Sequence, residues 1–108
     1  MQYIKESDWK QLRQLKDVAL ERLCQRTLED LQRTALAPSQ TWHERYLQVY
    51  SLIHEHDKEI ADIFNDLRRS TAQLRLMMMR TAGLVTDEEM SRFTEETQKA
   101  SRPWKATE

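Results

Sequence analysis

The chain has 108 residues, 39% of them hydrophobic, which is enough for one core of ordinary domain size. Seventeen basic and eighteen acidic side chains nearly cancel, so no global charge draws it to nucleic acid or to an anionic membrane. One glycine and two prolines leave little material for tight hairpins, while Leu, Gln, Glu, Arg and Ala abound, so the composition predicts an all-α protein.

The opening stretch MQYIKESDWK lacks the apolar run of a signal peptide, and no segment is apolar for long enough to span a bilayer. Cys24 is the single cysteine and can form no internal disulfide, which favours a reducing, cytoplasmic location.

The first predicted helix begins at Ser7 or Asp8, either able to cap free N–H groups, and runs to about Leu36, before APSQ interrupts it. Leu12, Leu15, Ala19 and Leu23 form one apolar strip; Leu20, Cys24, Leu28, Leu31 and Ala35 form a second. Two strips imply more than one packing neighbour.

Ser39 is the expected cap of a second helix that meets no breaker until Gly83. Trp42, Tyr46, Val49, Ile53, His56, Ile60, Ile63, Leu67, Ser70, Leu74, Met77 and Thr81 alternate steps of four and three, a heptad seam throughout. The segment from Gln40 to Thr81 would be about 60 Å long as one helix, against a radius of gyration near 13 Å for a compact chain of this size. Either it bends near Ser70 and Thr71 or the molecule is elongated, and the unbroken seam favours elongation.

Gly83 is a natural helix stop. Thr86 with Glu89 makes a capping box for a short third helix carrying Met90, Phe93, Thr97 and Ala100 on one face, and residues 103–108 form a loose tail that Trp104 could pin. The expected architecture over residues 1–102 is one all-α domain, an elongated antiparallel bundle of three helices around a long central one. That spine leaves broad apolar faces short of neighbours, so completion as a homodimer is expected.

On this register Met77 faces the seam, Met78 a flanking row, and Met79 with Leu76 the outside, so Leu76, Met78 and Met79 make a candidate interaction patch. Four carboxylates, Glu55, Glu59, Asp62 and Asp66, line up beside the seam. His56 and Glu59 are the candidates for a metal site, although di-metal bundles use the order Glu-x-x-His and acidic partners on a facing helix, where this first helix offers mainly leucine and alanine. Glu59-x-x-Asp62 also matches half of the carboxylate pattern of all-α nucleoside triphosphate pyrophosphatases, but the preceding Glu-x-x-Glu is missing and the resemblance stops there.

The second helix is acidic from Glu44 to Asp66 and basic thereafter, with Arg68, Arg69, Arg75 and Arg80. That polarity suits the helix macrodipole or antiparallel pairing; a nucleic-acid interface on these arginines is the weaker alternative, lacking interleaved aromatics. A phosphate loop and a Cys-x-x-Cys site are excluded by one glycine and one cysteine, and no cofactor is implied. The expectation is a non-enzymatic protein–protein interaction or assembly module, with a metal-binding or catalytic bundle using His56 and Glu59 as the first rival.

Overall fold

The computed structural model describes residues 3–104, and among these every regular element is helical. Helix α1 spans Glu6–Ala35, with Glu6 and Asp8 in its first turn and Arg33 in its last, charges that suit the helix dipole. It starts one turn's edge earlier than expected, after Lys5, and Asp8 does not cap it.

Helix α2 spans Trp42–Phe64. Its cap is Thr41 rather than Ser39: Glu44 N donates to Thr41 Oγ1 at 3.1 Å while Thr41 N donates to Glu44 Oε1 at 2.9 Å. From this turn α2 and the turn after it run back antiparallel along α1, as the contacts Arg45–Ala35, His56–Cys24 and Arg69–Glu6 record in succession.

The expected continuous spine to Thr81 is corrected here. Helix α2 ends at Phe64, and α3 (Ala72–Thr81) begins only after a turn in which Asp66 takes φ +61°. Short polar side chains tolerate that left-handed conformation, and Thr71 closes the turn by accepting from Arg68 N at 3.0 Å and donating to Asp66 O at 2.6 Å. The break lets α3 fold onto both α1 and α2, burying Ala72, Leu76 and Met79.

Gly83 ends α3 as expected, at φ +72°. Leu84 N donates to Met79 O at 3.0 Å and Gly83 N to Arg80 O at 2.9 Å, the paired bonds of a Schellman motif, with Leu84 and Met79 both in the core. The expected third helix is two: α4 (Asp87–Met90), opened by the Thr86–Glu89 capping box, and α5 (Glu95–Ala100). The interruption arises because Thr94 N donates to Asp8 Oδ1 at 2.9 Å instead of to the preceding turn, and Thr94 then caps α5. Met90, Phe93 and Thr97 share the buried face as expected, while Ala100 is exposed. Of the tail, Trp104 N donates to Thr81 Oγ1 at 2.9 Å; residues 105–108 lie outside the described residues.

The core sits at one end. Helix α1 contributes Leu12, Leu15, Ala19 and Leu23, α2 contributes only Ile63 and Phe64, and α3 to α5 close over them. Beyond this core the outer half of the α1–α2 hairpin projects as a bare two-helix arm. The molecule is therefore elongated, 52 × 30 × 24 Å with a radius of gyration of 16.7 Å, although its long axis is the hairpin and not a single spine.

Candidate functional site

The methionine patch is not a surface. Leu76 and Met79 are 0% exposed, and Met78 packs against the core. Extending the α2 seam through the break put Leu74, Met77 and Thr81 inside; the turn at 65–71 rotates α3, so Leu74 and Thr81 are exposed and the row Ala72–Leu76–Met79 faces inward.

The four arginines have four separate destinations. Arg68 pairs with Asp66 through Nε–Oδ1 at 2.6 Å, and Arg69 pairs with Glu6. Arg75 Nη1 donates to Asp62 O at 2.6 Å, while Arg80 Nη1 donates to Gln98 O and Ser101 O, each at 2.9 Å. Arg75 and Arg80 tie α3 to its surroundings, Arg68 and Arg69 hold the 65–71 turn, and the four do not form a common anion-facing strip.

Of the four carboxylates, Glu55, Glu59 and Asp62 line one open cleft together with Thr27, Asp30 and His56. Asp66 lies beyond the end of α2, and Arg68 holds its carboxyl below the usual value, chiefly through their hydrogen bond. The fourfold strip is thus a threefold one, because the helix that would extend it has ended.

His56 points into the α1–α2 seam. Its Nδ1 lies 2.6 Å from Thr27 Oγ1 and its Nε2 lies 3.8 Å from Cys24 Sγ. Thr27 Oγ1 also lies 3.1 Å from Leu23 O, so the hydroxyl bridges the imidazole and the α1 backbone. Both ring nitrogens therefore serve the helix pair. Among the described residues no three His, Cys, Asp or Glu side chains converge as an ion would require, and Glu59 does not join His56 in such a group.

The sequence reading missed three features. Asp8, 1% exposed, accepts from Thr94 N, from Thr94 Oγ1 at 2.6 Å and from Thr97 Oγ1 at 2.6 Å, stitching the start of α1 to α5. Burial opposes its ionisation, but these hydrogen bonds outweigh burial and hold its carboxyl below the ordinary value. Arg22 forms a two-pronged pair with Glu89 at 2.7 and 2.9 Å and donates to Leu84 O at 2.8 Å; the Arg22 bond pulls the Glu89 carboxyl down to about 2. Arg26 donates to Ala82 O and Gly83 O, at 2.7 and 2.6 Å, so two arginines of α1 cover the negative end of α3. Only the helical spacing Arg22-x-x-x-Arg26 hinted at this.

The third missed feature is the arm. Trp42, Tyr46 and Tyr50 are 81, 68 and 65% exposed, and Leu28, Leu36, Leu47 and Ile53 are exposed as well. At 100° per residue, Trp42, Tyr46, Val49 and Ile53 fall within one narrow stripe of α2, flanking the side on which His56 meets α1. On α1, the strip through Leu28, Leu31 and Ala35 lies roughly 135° around the helix from the buried Leu12–Leu23 strip. In an antiparallel pair both stripes open on the same side, and between them Ala35, Trp42, Arg45, Tyr46 and Val49 line a shallow apolar groove. Arg45 holds the rim in place, donating to Gln40 O at 3.0 Å with its guanidinium 4.5 Å over the Trp42 ring.

No protein-family model, curated protein or solved structure matches this chain.

Proposed function

We propose that this chain is a non-enzymatic assembly module that works by presenting a helical face to protein partners. The carrying observation is the contiguous apolar side of the α1–α2 arm, centred on Trp42, Tyr46 and Ile53. Apolar side chains scattered over a surface need no explanation, but a contiguous stripe on two adjacent helices is unfavourable in water and is relieved by association. Aromatic anchors held by neighbours lose little entropy on docking, and Arg45 over Trp42 is such a restraint. The same proposal includes self-association and a cytoplasmic site of action, where the Cys24 thiol stays reduced against His56.

The test is site-specific photocrosslinking in cells that express the full chain. A photoreactive residue at position 50 is expected to yield covalent protein adducts, and one at the exposed Glu96 on α5 is expected to yield none. Equal yields, or no adducts at position 50, would remove the proposal.

A further inference from the structure

We infer that the occupant of the arm's apolar face is a second copy of the chain, with two arms overlapping tip to tip as a four-helix bundle and the two α3–α5 ends pointing in opposite directions. This rests on the assembly reading above and adds to its self-association the interface and its geometry.

Area is the first argument. With about 150–250 Å² per aromatic side chain, the exposed fractions of Trp42, Tyr46 and Tyr50 leave roughly 400 Å² uncovered. Leu28 and Ile53, with the rims of Val49 and Ala35, bring the face to roughly 600–700 Å², most of the ~800 Å² that each partner contributes to a stable interface. Such an area is more than a single docked peptide helix would cover. The face is also two helices wide, so one helix laid in the groove would leave the outer flanks wet, whereas a second hairpin has the same width.

Pattern is the second. Trp42, Tyr46, Val49 and Ile53 follow steps of four, three and four, the spacing that interdigitates with another helix carrying the same spacing. Twofold symmetry requires a face complementary to itself, and a stripe of this kind meets that requirement when run antiparallel to its own copy: Trp42 of one chain beside Ile53 of the other, Tyr46 beside Val49.

Charge selects the arrangement. The exposed part of the stripe ends at Ile53, because His56 and Ile60 meet α1 and the core; beside it, one turn further, α2 carries Asp57, while α1 carries Asp17 and Glu21 below Leu28. Placing both arms the same way round would bring Asp57 of one copy towards Glu21 of the other, carboxylate against carboxylate. Overlapping only the tips keeps these groups at the ends of the interface, in water. Charge also weighs against a lipid surface, because α2 holds five acids against two lysine or arginine residues.

Sedimentation velocity on the purified full chain, from submicromolar to submillimolar concentration, tests the partner. A reversible dimer is expected. Ile53→Asp should raise its dissociation constant by about a hundredfold, since the twofold axis buries the new carboxylate twice, with the helical signal in circular dichroism unchanged. Leu74→Asp, on an exposed apolar residue of α3 away from the arm, should leave the dimer as it is. A monomer over the whole range, or a dimer indifferent to Ile53→Asp, overturns the inference. Adducts of other proteins at position 50 would then leave the assembly reading standing, whereas their absence would remove both.

Val49→Cys in a Cys24→Ser background tests the geometry. Position 49 lies beside the proposed axis, so mild oxidation should link two chains; a dimer that persists without linking at 49 overturns the tip-to-tip arrangement.

Discussion

At the scale of single residues, two carboxylates tie α1 to the C-terminal helices. Glu89 joins Arg22 across the gap between α1 and α4, and its lowered proton affinity corresponds to stabilisation on the order of 3 kcal/mol when charged. A depressed carboxylate stabilises the fold above its ordinary value of 4.5 and loses that contribution as pH falls towards about 2. Asp8 shifts in the same direction. Urea unfolding should therefore show stability falling below about pH 5, with the limb flattened in Glu89→Gln. Asp8→Ala leaves the Thr97 hydroxyl and the Thr94 N–H buried without their acceptor, and should cost about 3 kcal/mol; Asp8→Asn, which keeps an acceptor oxygen, should cost less. The sequence marked Asp8 only as a helix cap and Glu89 only as the partner of Thr86; their bonds to Thr94, Thr97 and Arg22 were not legible, because these lie far along the chain and periodicity reports only neighbours on one helix.

At the scale of elements, the two left-handed residues are where the chain changes direction. Gly83 occupies a conformation that costs other residues about 1–2 kcal/mol, so Gly83→Ala should lower stability by about that much; the new Cβ would meet only the movable Arg26 Nη2 at 3.4 Å. Asp66 is the contrasting case. Asp66→Gly relieves the backbone but removes an exposed pair with Arg68, and should shift stability by less than about 0.5 kcal/mol, while Asp66→Leu should cost about 1 kcal/mol or more. Thermal melts of the three variants check both positions. Gly83 was legible because glycine is the usual residue at that site. Asp66 was not, since its neighbours continue the four–three seam, and one aspartate in an otherwise helical pattern carries no stop signal of its own.

At the scale of the whole molecule, order is uneven along the hairpin. The core end buries Leu12 to Leu23, whereas the arm has few neighbours, and local opening should begin there. Hydrogen exchange at low protein concentration should reach the amides of residues 42–50 well before those of residues 12–23. At high concentration the arm amides should gain protection if a second copy covers them. Uniform exchange along α1 and α2 at every concentration would contradict both expectations.

Composition and apolar spacing together determined that the protein is helical, because one glycine and two prolines leave little material for the turns of a sheet and the spacing is helical almost throughout. The Thr86–Glu89 cap and the Gly83 stop were equally local properties, readable from residues a few positions apart. What tertiary structure decided was which faces were covered. A seam of constant spacing has a single phase only while its helix continues, and once the chain breaks at 65–71 the inward side of α3 is chosen by packing against α1. That choice buried Met79 and Leu76, committed four arginines to intramolecular partners, and left the uncovered apolar side on the arm around Trp42 and Tyr46.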